Sequence, residues 1–167
     1  MTPMSHSGDA VAGYVRDGAL VSGIGPGALV QTLHGTRAIE TLAPGDQVLT
    51  KDRRRVRLSL VTCTAAPARA LYRISPKALA QGRHREKSGP IILSGQQHVL
   101  VSGWMAQAMY RRDQALVPVH ALADGELIRP MGLDADLPLF HLHFDEPDLF
   151  CVGGLEFLAT PAHHYIR

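Results

Sequence analysis

The stretch Pro44-Gly45-Asp46-Gln47-Val48-Leu49-Thr50 places a tight turn directly before a short apolar strand. Proline presets the φ angle of the first central turn position, and glycine supplies the positive φ that some turns require at the second. Valine and threonine, which are β-branched, favour extended backbone in the residues that follow. The stretch therefore predicts a sharp entry into a β-sheet.

Short strands and turns continue on both sides of this stretch. Residues 28–32 and 37–39 form two strand patterns around a His34-Gly35 turn, and the polar run 51–55 is predicted to be a hairpin tip before residues 56–62. Further strands are predicted at residues 71–74, 90–93, 99–101, 139–144 and 149–152. Helical patterns are short and cover only residues 105–112 and 118–122. The predicted class is all-β with one or two short helices.

Composition excludes several other classes of protein. The chain has 167 residues, 46% of them apolar, which fits one globular domain. No run approaches the ~20 apolar residues that span a bilayer. Two cysteines are too few for a disulfide scaffold, and a net charge of +2 gives no argument for nucleic acid.

The domain boundaries follow from the same patterns. We expect residues 1–19 to be a mobile leader, residues 20–160 to form the domain and residues 161–167 to be a tail. The start lacks the basic and apolar regions of a Sec signal peptide, so a cytoplasmic location is the default expectation, with leaderless export as the alternative.

The opening blocks resemble a known family. Residues 23–32 and 37–42, followed by the Pro-Gly-Asp block, are similar to the start of a Hint domain in its compact bacterial form. Hint domains are the module shared by Hedgehog autoprocessing regions and inteins. Residues 93–101, 116–122 and 140–155 resemble later blocks in the same order. The resemblance spans about residues 20–160 and implies curled β-hairpins related by a pseudo-twofold axis.

The resemblance also implies where the reactive groups should lie. In such domains the first residue attacks the preceding carbonyl, and a histidine of a later block polarises or protonates the scissile amide. Alignment on Pro26-Gly27 places Gly23 at the nucleophile position. If Ser94 begins the Ser-x-x-His block, the histidine position falls on Gln97, and His98 is expected to face the opposite side of the strand. The reactive positions Gly23, Ser94 and Gln97 are therefore degenerate.

Two functional hypotheses follow. The first is a Hint-domain protein that lacks the autoprocessing nucleophile, needs no cofactor and acts as a non-catalytic structural or protein-interaction module. The second is an active self-processing domain that uses Ser22 as the nucleophile and His98 as the acid/base. In that case the reaction is intramolecular and turns over no external substrate.

A histidine pair is the candidate for a metal site. His141 and His143 are two residues apart and would share one face of a strand, and neutral imidazole is a common metal ligand. A third ligand would have to come from His98, His120 or Asp145. Without an evident third ligand, we expect no metal.

A candidate contact surface lies at the start of the first predicted helix and along it. Trp104, Met105, Met109 and Tyr110 could anchor a protein partner, since tryptophan and tyrosine are favoured at interface hot spots. The alternative is that this helix caps the β-core. The basic runs 51–55 and 83–87 are expected to be solvated hairpin tips, and neither nucleic acid nor membrane is an expected partner.

Overall fold

The computed structural model describes residues 23–50, 54–75, 77–78, 89–132, 136–146 and 148–161. The predicted leader 1–19, Ser22 and residues 162–167 of the predicted tail lie outside the described residues. So do residues 51–53 of the first basic run and all of the second, residues 83–87.

The described residues confirm the all-β class. The strands are β1 Leu29–Thr32, β2 Gly35–Ala38, β3 Gln47–Leu49, β4 Arg55–Arg57, β5 Leu60–Pro67, β6 Leu71–Ile74, β7 Ile91–Ser94, β8 His98–Ser102, β9 Gln114–Pro118, β10 Ile128–Pro130, β11 Asp136–Phe144, β12 Asp148–Val152 and β13 Leu155–Pro161. The α-helix is α1 Gly103–Tyr110, and the 3-10 helices are Ile39–Thr41, Ala68–Ala70 and Val119–Leu122.

The strands form a large curled sheet and a small one. In the large sheet the order is β4-β3-β1-β12-β13-β11-β5, with β2 beside β1 and with β8 joining β13 to β9. The small sheet has the order β10-β6-β7. The closing hairpin β12–β13 therefore lies between the first strand and β11, so the two ends of the domain meet in the middle of the large sheet.

The Pro-Gly-Asp turn joins elements that are separate in sequence. Gly45 has a φ of +98°, which favours glycine, and its N–H donates to Leu58 O at 2.8 Å. The N–H of Leu58 donates to Asp46 O at 2.8 Å. The Asp46 carboxylate accepts from Ala43 N at 2.9 Å and from Arg37 Nη1 at 3.3 Å. The turn thus fixes the course of the chain before β3 and after β4.

The same contacts correct one predicted strand. Residues 56–62 were expected to be continuous, but β4 ends at Arg57 and β5 begins at Leu60, because Leu58 is bonded to the turn. The predicted helix at 105–112 begins earlier and ends at Tyr110, where Arg111 adopts a left-handed φ of 55°. Residues 119–122 of the second helical pattern form a 3-10 helix.

The main core combines side chains of both sheets. Phe144 and Phe157 are fully buried, and Phe150 contacts both rings at centroid distances of 6.2 and 6.3 Å. Burying a phenylalanine of this kind contributes roughly 1.5–3 kcal/mol. Since all three residues lie on the last strands, the closing hairpin and β11 supply much of the aromatic core.

Candidate functional site

Gly23 begins the described part of the domain in a fixed position. Its carbonyl accepts a hydrogen bond from the N–H of Ser94, the last residue of β7, at 3.0 Å. The next residue, Ile24, is 1% exposed and exchanges backbone hydrogen bonds of 3.0 and 2.8 Å with Phe140 of β11. The segment therefore runs between β7 and β11 as a bridge between the two sheets.

The space beside Gly23 is filled by β11. A Cβ on Gly23 would lie 2.7 Å from His141 Cε1, 3.1 Å from His141 Nε2 and 3.0 Å from Leu139 Cβ. Real Cβ atoms essentially never approach other heavy atoms to 2.7 Å. Leu139 and His141 meet Gly23 together because residues two apart on a strand share a face. Position 23 thus has no room for a side chain while His141 keeps its place.

His141 and His143 form a buried stack. Their rings have centroids 6.2 Å apart with an angle of 18° between the planes, and the residues are 5% and 1% exposed. His143 Nε2 lies 3.0 Å from Thr62 Oγ1. His141 Nε2 is buried and has no hydrogen-bond partner among the described residues. Burial, and secondly the charge of His143, lower the pKa of His141 to about 3, so its imidazole is neutral at pH 7.

Gln97 lies at the same small cavity as the two histidines. Its side chain is buried, and its amide nitrogen donates to His98 O at 3.1 Å and to Leu158 O at 3.0 Å. Both amide protons therefore have acceptors in the fold. A carboxamide held in this way orients backbone and does not exchange protons near neutral pH.

His98 has a different environment. It opens β8 opposite Pro118, is only partly buried, and its Nδ1 lies 3.1 Å from Gln96 O. It is absent from the residues that line the cavity of Gln97, His141 and His143. The structure therefore brings Gly23 and His141 into contact and places Gln97 nearby, whereas His98 lies away from this cavity.

The hydrogen bonds of Ser94 are made to backbone groups. It is fully buried, and its Oγ accepts from Gln96 N at 3.1 Å, while its N–H holds the Gly23 carbonyl. These bonds fix the turn between β7 and β8 and the start of the domain. Ser22, the other candidate nucleophile, lies outside the described residues.

The histidine pair gains no third ligand in the described ranges. Among those residues, no group of three or more His, Cys, Asp and Glu side chains is arranged to hold a metal ion. Of the candidate third ligands, His120 is exposed and Asp145 accepts a hydrogen bond from Ser59 Oγ at 2.7 Å.

Helix α1 exposes two large apolar side chains to solvent. Trp104 is 75% exposed and Met109 is 49% exposed. Met105 and Tyr110 are partly buried and pack against the main core. The helix therefore packs two of the four residues against the core and exposes the other two. Among the described residues, no helix combines the length and apolar character that crossing a membrane requires.

Sequence reasoning missed the contact between Gly23 and His141. The spacing of His141 and His143 predicted a shared strand face, but it did not indicate that His141 packs against Gly23. The usable signal was the order of the family blocks, since the block at residues 140–155 includes the end of β11, and β11 lies beside the first residues of the domain. In that arrangement, Leu139 and His141 are the alternate side chains that can face position 23.

Comparison with known protein families gives a match over most of the chain. The family model described as Hint domain matches residues 23–158, so the match begins at Gly23. No curated protein is significantly similar in sequence.

Solved structures share the fold at low identity. The chain is similar to the bacterial intein-like domain from Clostridium thermocellum, with a TM-score of 0.54, 15% identity, and coverage of 84% of this chain and 99% of that chain. It is also similar to the MchDnaB-1 intein, with a TM-score of 0.51, 14% identity, and coverage of 80% and 98%. The Msm DnaB1 intein splicing domain bound with zinc gives the same four values. The chain belongs to the Hint domain family.

Proposed function

We propose that this chain is a Hint domain that does not process itself and acts as a non-catalytic structural or protein-interaction module. The observation that carries this proposal is the contact between Gly23 and His141. At the nucleophile position there is no thiol or hydroxyl, and a Cβ would lie 2.7 Å from the imidazole. The position is therefore both chemically empty and sterically closed.

The chemistry of the family reaction explains why this matters. An acyl shift requires an oxygen or sulfur nucleophile that forms a bond to the carbonyl carbon of the preceding residue as the amide C–N bond breaks. The amide nitrogen must gain a proton in the same sequence of steps. Gly23 supplies no nucleophilic atom, so the neutral His141 imidazole has no side chain at this position to deprotonate.

The Gln97 carboxamide, at the position where the family has its histidine, supports the same proposal. The Gln97 amide is committed to the carbonyls of His98 and Leu158, at 3.1 and 3.0 Å. An amide does not deliver a proton to a leaving nitrogen at neutral pH. The buried hydrogen bonds give Gln97 a structural role in joining β8 to β13.

An interaction role is supported by the surface of α1. Trp104 and Met109 expose apolar side chains, and tryptophan and methionine are enriched in protein interfaces. A well-packed core can act as a scaffold that holds an exposed tryptophan in position for contact with a partner. This role also requires no cofactor.

Intact-mass measurement of the purified full chain tests the proposal. The expected result is one species of 18.1 kDa, unchanged after incubation with dithiothreitol or hydroxylamine, which would cleave a thioester or ester. The Ser22→Ala variant is the matched control for the alternative nucleophile, and His98→Ala is the control for the alternative acid/base. A fragment beginning at residue 22 or 23 that disappears in either variant would overturn the proposal and identify the self-processing alternative.

A further inference from the structure

Two arginines stand directly opposite each other on the small sheet. Arg73 of β6 pairs with Arg129 of β10 in an antiparallel register, and both side chains are exposed. Residues opposite in this way have Cβ atoms about 4.5–5.5 Å apart, and like charges there are destabilising. An anion between the two guanidinium groups would remove this repulsion.

The described residues provide no carboxylate for this pair. Their ion pairs join Arg37 to Asp46 and Arg54 to Asp148. Asp124, which precedes β10, accepts three backbone N–H groups of its own turn at 2.8–3.0 Å. These hydrogen bonds hold its carboxylate in the loop and lower its pKa.

Positive charge is concentrated around β6 in the sequence. Residues 69–89 contain six Lys or Arg and one Glu, which gives a formal charge of +5 in a chain with a total of +2. The remainder of the chain is therefore net negative. Of these cations, Arg69, Arg73 and Lys77 lie in the described part and are exposed. A local excess of positive charge attracts anionic partners and raises their association rate.

The backbone edge beside the pair is closed to an added strand. Although β10 is an edge of the small sheet, Ile128 N donates to Asp124 Oδ1, and Ile128 O accepts from the N–H groups of Asp124 and Gly125. Pro130 has no N–H to donate. A partner is therefore expected to contact side chains instead of extending the sheet.

The neighbouring side chains favour a protein partner over a nucleic acid. Within the described small sheet, the aromatic residue is Tyr72, which lies on the face opposite Arg73 and whose ring fills the space beside Gly95. It offers no platform for the base stacking that single strands use. Arg73 instead pairs with partly buried Ile92 on its other side, so an apolar surface flanks the charge.

We propose that Arg73 and Arg129 form the centre of a docking site for an acidic segment of a partner protein, with a carboxylate held between the two guanidinium groups. Arginine suits this role because its planar fork binds carboxylates through two parallel hydrogen bonds. The assignment rests on the proposed interaction role but not on the loss of self-cleavage.

Binding of a fluorescein-labelled ten-residue oligoglutamate to the full chain tests this site by fluorescence anisotropy. We expect Arg73→Ala/Arg129→Ala to weaken binding by at least about tenfold, as loss of charge-assisted contacts does. The matched control is Arg55→Ala/Arg57→Ala, which removes two exposed arginines from β4 and changes the net charge equally. Less than about twofold weakening is expected there. Circular dichroism melts of each variant check folding.

Three outcomes would overturn the proposal. These are no binding of the oligoglutamate, equal weakening in the two double variants, or stronger competition by a 20-nucleotide single strand than by unlabelled oligoglutamate. The first two outcomes would show that Arg73 and Arg129 do not form a specific site for acidic peptides. The third would show that the site prefers nucleic acid. None of them changes the intact mass, so a failure of the docking site is distinguishable from residual self-cleavage.

Discussion

The imidazole of His141 occupies the place into which a side chain of Gly23 would point. A Cβ at residue 23 would lie 2.7 Å from Cε1 and 3.1 Å from Nε2 of that ring. The first residue of the Hint-family match is thus held as glycine by packing. A nucleophile there requires both a side chain at residue 23 and a movement of His141 that makes room for it.

Adding a methyl group at this position is expected to destabilise the fold. Gly23→Ala should lower the free energy of unfolding by roughly 1–3 kcal/mol, as overpacking of a well-filled site does. Urea denaturation measures the change. Gly89→Ala is the control, because a Cβ at Gly89 meets nothing within 4 Å. The double variant Gly23→Ala/His141→Ala should lose less stability than the two single variants lose together, because the smaller residue 141 makes room for the methyl group. If the two losses simply add, the contact between residues 23 and 141 is contradicted.

Gln97→Glu is expected to be strongly destabilising near neutral pH. A carboxylate would face the carbonyls of His98 and Leu158, which now accept the amide protons, so the cost should be roughly 2–4 kcal/mol. Thermal melts at pH 7.5 and 5 should show a smaller penalty at the lower pH, because the introduced carboxyl group takes up a proton there and can donate a hydrogen bond again. Gln96→Glu, at the exposed neighbouring residue, should change stability little. Equal effects at the two positions would exclude a buried role for Gln97.

Burial of His141 predicts a loss of stability in acid. Its pKa is about 3 in the folded protein and 6.5 in the reference state, so below pH 6.5 the unfolded chain takes up a proton that the folded chain does not. The stability that is fully present above pH 6.5 should therefore fall as the pH decreases toward 3, by up to about 1.4 kcal/mol per pH unit. His141→Asn should flatten the slope between pH 7.5 and 5.5. Urea denaturation across this pH range provides the measurement.

Trp104 provides a direct optical report on α1. As the single tryptophan of the chain with 75% exposure, it should emit as a water-exposed indole and be readily quenched by acrylamide. Trp104→Ala should change the free energy of unfolding by no more than about 0.5 kcal/mol. A shielded, poorly quenched emission in the monomer, or a large loss of stability, would show that the ring belongs to the core.

The opposed arginines predict a stabilising charge reversal. Arg129→Glu should raise the free energy of unfolding by about 0.2–1 kcal/mol, because a repulsive cross-strand pair becomes an attractive one. Arg129→Lys keeps the charge and should leave stability nearly unchanged. Denaturation at low ionic strength and at high salt checks that the stabilisation is electrostatic. Salt screens charges, so it should reduce the difference in the free energy of unfolding between Arg129→Glu and the wild type. A stabilisation that is insensitive to salt would point to another cause.

Local patterns predicted the elements better than their contacts. The Pro-Gly-Asp turn and strand β12 follow from residues adjacent in sequence, and the order of the family blocks indicated the fold. The pairing of β12 with β13 was not predicted. The break at Leu58 did not follow, because it arises from hydrogen bonds to Gly45 and Asp46, in a turn well before it in the chain. The burial of His141 against Gly23 could not be predicted either. The alternation of side chains along a strand shows which residues share a face, but it does not show which part of the chain packs on that face.

Strand β11 holds both ends of the domain close together. Ile24 bridges Phe140, and Thr160 of β13 lies opposite His143, further along the same strand. At the rise of an extended chain, the separation of Phe140 from His143 amounts to about 10 Å. A linker of a few residues could therefore join the two ends, which makes the domain suited to circular permutation and to insertion within a surface loop of a host protein.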